Sequence, residues 1–156
     1  MDDIAKLLRI LRQNRTLAVV GLSANWYRPS YFAAKYMQEH GYRIIPVNPR
    51  YPQILGEKCY ASLRDVPEKI DLVDVFRKTQ DVPPIAEDAI AVGARVLWQQ
   101  LGVRNEAAAA RARAAGLEAV MDRCVKIEHG RLFGGLNWVG VNTRVISGKR
   151  PRWLAY

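Results

Sequence analysis

Cysteine and histidine are scarce in this chain. Only Cys59, Cys124, His40 and His129 occur in 156 residues. The two cysteines are far apart and no second pair accompanies them. Spacing therefore indicates neither a disulfide framework nor a zinc site, and a reducing cytoplasm is the expected compartment. The chain opens Met-Asp-Asp, without the charged and then apolar segments of a secretory leader, so none is expected. No apolar run approaches the roughly 18 residues of a membrane span, which leaves no reason to expect a membrane partner. Acid is missing from two particular stretches: between Glu39 and Glu57, and after Glu128.

What is present is ordinary for a globular chain: 49% hydrophobic and 25% charged residues, which argues against disorder. The length suits one domain. The formal charge of +9 calls for an anionic partner but does not say which. Its placement says more. Residues 129–156 hold five basic side chains (Arg131, Arg144, Lys149, Arg150, Arg152) and no acid, so more than half the excess sits in a short C-terminal segment. A ligand site and a basic tail therefore need separate explanations.

Patterning predicts alternating helices and buried strands. Ile4, Leu7, Leu8 and Leu11 recur at helical spacing behind Asp2 or Asp3 as cap. Residues 16–20 form a continuous apolar run ending in Gly21, as in a strand covered on both faces. Pro29 and Ser30 open a helix that Gly41 stops. Strands follow over 43–47, 71–76, 95–98 and 117–121, with a weak one near 58–60 and a helical turn near 62–66. Helices are expected at about 82–92, at 105–115 with Asn105 as its start, and at 123–129. Residues 139–146 contain β-branched stretches that pattern alone does not place. The order implies an α/β fold: a Rossmann-like, doubly wound, mainly parallel sheet of five to six strands with helices on both faces. Ligands of such sheets bind beyond the carboxyl ends of the strands, where strand order reverses.

The loops at that edge carry the chemistry. Gly21 to Ser30 joins the first strand to the first crossover helix. It lacks the later glycines of the dinucleotide fingerprint Gly-x-Gly-x-x-Gly. Ser23, Ala24 and Asn25 are nonetheless small enough for a ligand to approach the backbone. The helix opened by Pro29 and Ser30 offers unpaired N–H groups, and Arg28 adds a cation. At the end of the second strand an NAD-binding domain would place Asp or Glu, about 20 residues beyond the glycine loop, against a ribose hydroxyl. Here that position reads Asn48-Pro49-Arg50. A carboxylate would repel a ribose phosphate, whereas Arg50 attracts one, so the residues favour NADP or coenzyme A over NAD. Arg77 and Lys78 follow the strand 71–76 onto the same edge. Three or four cations there suit a ligand with a diphosphate and a ribose phosphate. Phe76 lines a base or pantetheine arm, or fills the core.

The motifs Gly21-Leu22-Ser23-Ala24-Asn25 with Arg28-Pro29-Ser30, Pro46-Val47-Asn48-Pro49, Leu55-Gly56-Glu57-Lys58, Asp71 to Arg77, Leu97-Trp98-Gln99-Gln100-Leu101-Gly102 and Met121-Asp122-Arg123-Cys124 with Glu128-His129 stand in that order. Together they resemble the small stand-alone CoA-binding domain proteins, a family similar to the nucleotide-binding first domain of the succinyl-CoA synthetase alpha subunit. The resemblance covers roughly residues 5–133, so residues 1–133 are expected to form the CoA-binding domain and 134–156 a basic, aromatic extension. It implies that the Gly21–Ser30 loop holds the phosphates. It places Asn48, Pro49 and Arg50 at the adenosine end, and Val75, Phe76 and Arg77 on the facing wall. It supplies no chemistry: the phosphohistidine domain and ATP-grasp partner of full synthetases have no room in this chain.

No catalytic set and no metal site can be argued from spacing. His40 and His129 read as structural or solvated. Cys124 beside Arg123 and Lys126 reads either as a reactive thiol of lowered pKa, able to form a mixed disulfide with the CoA thiol, or as a buried inert one. The extension, with Trp138, Trp153 and Tyr156 among its cations, reads as packing or a subunit contact, such as a homodimer's, more readily than as a nucleic-acid contact. The sequence thus points to a non-catalytic module for CoA or an acyl-CoA, with an NADP-binding enzyme or redox sensor as the alternative.

Overall fold

A computed structural model of the chain describes residues 3–133. The extension, and with it the β-branched stretches at 139–146, lies outside them. Among the described residues there are seven strands and five α-helices, in the order α1 Ile4–Gln13, β1 Thr16–Val20, α2 Pro29–Glu39, β2 Arg43–Val47, β3 Gln53–Ile54, β4 Glu57–Lys58, β5 Leu72–Val75, α3 Val82–Ala91, β6 Val96–Gln99, α4 Glu106–Ala114, β7 Glu118–Val120 and α5 Val125–Phe133. Short 3₁₀ turns occupy Leu63–Asp65 and Thr79–Asp81.

Five strands form one parallel sheet in the order β2-β1-β5-β6-β7. The expected weak strand near 58–60 is instead a two-residue antiparallel hairpin, β3 with β4, outside that sheet. A parallel bridge from Tyr60 to Val47 ties the following residues to the end of β2. The sheet reads as continuous apolar runs because helices cover both faces. Alternate strand residues serve two cores. Leu17, Val19, Leu72, Val96 and Trp98 meet Leu7, Leu11, Met37 and Val125 from α1, α2 and α5. Ala18, Val20, Val73, Val75 and Leu97 meet Val82, Ala86, Ala108 and Ala112 from α3 and α4.

Local chemistry sets the helix ends. Asp3 accepts from Ala5 N at 3.4 Å and Asn105 from Ala108 N at 2.9 Å, capping α1 and α4. The alanines of α4 let it lie close on the sheet, with Ala108, Ala109 and Ala112 buried. α5 runs to Phe133, further than its apolar pattern indicated. It is secured by an ionic cluster within the fold: Glu128, wholly buried, pairs with Arg123 at 3.2 Å and closely with Arg131.

Candidate functional site

β1 and β5 are neighbours, but β1 leads to β2 on one side and β5 to β6 on the other. Their carboxyl ends are therefore the switch point at which this topology opens a crevice. An open cleft of about 840 Å3 lies there, within the range of about 300–1,000 Å3 common for cofactor sites.

Gly21 ends β1 at the base of this cleft. Its φ is +87°, its N–H donates to Val47 O at 2.9 Å, and a Cβ built on it would overlap the Phe76 carbonyl oxygen. Glycine is required here both by backbone conformation and by close approach of β5. The loop beyond folds on its own side chains. Ser30 Oγ accepts from Ser23 N at 3.1 Å, and Ser23 Oγ accepts from Asn25 N at 3.1 Å. Ser30 thus braces the loop, while Arg28 occupies the N-cap of α2 without a side-chain cap bond.

At the end of β2, Asn48 is nearly buried. Its Nδ2 donates to Leu22 O at 3.0 Å and its Oδ1 accepts from Arg50 N at 3.0 Å, clamping the two loops together. The Cys59 thiol donates to Asn48 O at 3.3 Å, and its pKa is raised by burial. Arg28, Arg50, Arg77 and Lys78, from three separate loops, all line the cleft. None of these four makes an ion pair among the described residues. Asp81 is the one acid among the described lining residues.

The cleft brings together Gly21, Ser23, Asn25, Arg28, Pro29, Ser30, Asn48, Arg50, Phe76 and Arg77. It does not bring in three others expected at the site. Val75 is fully buried on the α3/α4 face, because alternation along β5 turns it into the core. Pro49 lines a smaller adjoining cleft of about 360 Å3 with Val20, Val47 and, shared between both, Arg77. Ala24 lies outside both linings.

The strand-end loops did not point to Tyr51, Gln100, Leu101, Val103 and Ile127, which line the cleft together with Cys124. Cys124 precedes α5 and enters by tertiary packing. Of the two readings of this thiol, the buried inert one agrees with the structure: burial pushes its pKa up and the charge of Asp74 adds to this, against smaller lowering effects of the Ile127 and Lys126 backbone N–H groups and the Lys126 charge. Asp74 is 1% exposed and its carboxyl is pushed up to about 7 by burial, with the bond from Gln100 acting the other way. A lone acid in an otherwise apolar buried strand was the available sequence signal for it. The histidines lie elsewhere. His129 Nδ1 meets Tyr36 Oη at 3.0 Å and the ring stacks on Phe133, with burial lowering its pKa to about 4.

A five-stranded parallel sheet of this order, covered by helices on both faces and with a crevice at its switch point, defines the class: a Rossmann-like α/β domain. Within that class the chain belongs to the CoA-binding domain family, whose profile matches residues 15–130. It is 40% identical over 125 residues to an uncharacterized protein, YneT, from Bacillus subtilis, covering 80% of this chain and 93% of that one. It is 41% identical to the solved structure of a hypothetical protein from Pyrococcus horikoshii, with a TM-score of 0.83, covering 85% of this chain and 94% of that one. An ADP-forming acetate–CoA ligase from Methanocaldococcus jannaschii is 31% identical over 81 residues, which are 52% of this chain but only 12% of the ligase. Among the described residues no helix is long and apolar enough to cross a membrane.

Proposed function

We propose that the chain binds coenzyme A in the cleft at the carboxyl edge of the sheet. The observation that carries this reading is the convergence of Arg28, Arg50, Arg77 and Lys78 on one cleft, free of acidic partners among the described residues. Membership of the family supports the choice of ligand. The Gly21–Ser30 loop and Arg28 hold the diphosphate against the start of α2. Arg50, fixed through its backbone by Asn48, faces the ribose 3′-phosphate, with Pro49 and Tyr51 bordering the adenosine. Phe76 and Arg77 form the opposite wall, along which the pantetheine arm runs toward Gln100 and Cys124. The chain acts as a binding module, presenting or sequestering CoA, with no reaction of its own.

Isothermal titration with CoA, dephospho-CoA and NADP at one salt concentration tests this. CoA binding more tightly than both is expected. Equal affinity for CoA and dephospho-CoA would remove the role given to Arg50. NADP binding far more tightly than CoA would replace the reading with that of a dinucleotide-binding protein.

A further inference from the structure

The floor of the cleft contains a polar cluster that phosphate recognition does not use. Asp74 sits in the central strand β5, in register with Val19 and Trp98, both buried and apolar. A carboxyl there costs stability that an apolar residue would not. Its Oδ1 accepts from Gln100 Nε2 at 2.5 Å. Gln100 is 3% exposed and lines the cleft, as does Cys124, which is close enough to Asp74 to feel its charge.

The segment bearing Cys124 is tied from several directions. Asp122, at φ +57°, accepts from Gly102 N at 2.7 Å, and Trp98 Nε1 donates to Arg123 O at 2.7 Å. Gln100 and Cys124 therefore line the cleft from fixed segments, with the buried Asp74 behind Gln100.

Hydrogen-bond polarity decides what this floor receives. An ionised Asp74 can only accept, which turns the amide Nε2 of Gln100 toward it and leaves Oε1 for the cleft. That Oε1 has no partner among the described residues, although the side chain is more than nine-tenths buried. Gln100 thus presents an acceptor to whatever reaches it, and the complementary ligand end is a donor. A thiol S–H donates, whereas the sulfur and carbonyl of a thioester only accept.

We propose that Asp74, Gln100 and Cys124 form the receiving site for the terminal thiol of the ligand, so that the cleft takes CoA as the free thiol in preference to its thioesters. Gln100 makes the contact and Asp74 is a positioning residue that holds its amide. This rests on the reading of the cleft as a CoA site.

The test is titration at pH 8.5 under reducing conditions with CoA, acetyl-CoA and desulfo-CoA, which lacks the sulfur. CoA is expected to bind about three- to tenfold more tightly than either of the others, the worth of one ordinary hydrogen bond. Gln100→Leu is expected to bring the three affinities together while leaving the preference for CoA over dephospho-CoA unchanged. Asp74→Asn, which keeps an acceptor oxygen but adds a donor that admits the flipped Gln100 amide, should narrow the preference for CoA in part. If Asp74→Asn does not fold, Gln100→Leu and the milder Gln100→Met decide the matter. Acetyl-CoA binding as tightly as CoA, or Gln100→Leu weakening all ligands by one factor, would overturn this inference and leave the CoA site standing. Failure of all three to bind would overturn both.

Discussion

Gly21 and the carbonyl of Phe76 stand so close that no side chain fits between them. This contact joins the end of β1 to the end of β5, the two strands between which the cleft opens. It explains why one glycine suffices where a dinucleotide fingerprint would have three. The remaining shape of the loop comes from Ser23, Asn25 and Ser30 bonding within it.

The first expectation follows from that contact. Gly21→Ala adds both left-handed backbone strain and an overlap with β5, and should lower stability by about 2–4 kcal/mol. Urea denaturation measures this. A loss well under 1 kcal/mol would show that the strand ends separate without resistance.

The cation cluster supplies the second. Arg50→Ala should weaken CoA binding by about tenfold or more, the worth of a charge-assisted hydrogen bond, and leave dephospho-CoA almost unaffected. Arg77→Ala should weaken both ligands, because Arg77 is assigned to the wall and not to the 3′-phosphate. Titration of both variants with both ligands separates the roles. Identical losses for the two ligands on Arg50→Ala would contradict the assignment.

The third concerns pH. Burial raises the Asp74 carboxyl to about 7 from an ordinary value of 3.8. A carboxyl raised on folding favours the fold below its unfolded pKa, and that contribution is lost as pH climbs through about 7. The full swing is at most about 4 kcal/mol. His129 runs the other way. Its pKa falls to about 4 on burial, so its contribution is present above about 6.5 and lost as pH falls through about 4. Comparing Asp74→Asn with the parent cancels the histidine. The variant should gain in melting temperature relative to the parent between pH 4 and 8. A constant difference across that range would show that Asp74 titrates normally.

The fourth concerns α5, whose first turn carries Ile127 into the cleft wall. Glu128 lies between Arg123 and Arg131 with no exposure. Glu128→Ala removes the wholly buried anion of this cluster and should cost about 3–5 kcal/mol. Chemical denaturation reads the cost. A change below 1 kcal/mol would mean that the arginines find water or other partners.

The sheet was legible in the sequence because strands covered on both faces read as nearly continuous apolar runs, as in residues 17–20 and 44–47. The helix stops at Gly41 and Gly116 were equally plain, since a left-handed residue follows each helix. The edge cations were legible because parallel strands put their following loops on one side. Arg28, Arg50 and Arg77 could thus be grouped before their positions were known. Alternation was the limit. The strand 71–76 is apolar on both faces apart from its acids Asp71 and Asp74, so nothing local showed that Val75 turns into the core while Phe76 borders the cleft. The hairpin of β3 and β4 is only two residues per strand, too short for any period. Gln100 and Cys124 reach the cleft from distant parts of the chain, so their meeting with Asp74 belongs to tertiary packing.

The central claim is that this cleft holds CoA. Native mass spectrometry of the purified protein, before and after addition of equimolar CoA, tests it most directly. The account predicts a complex heavier by one CoA per chain, lost on denaturation and not displaced by NADP. No added mass with CoA, or a complex that forms only with NADP, would contradict it.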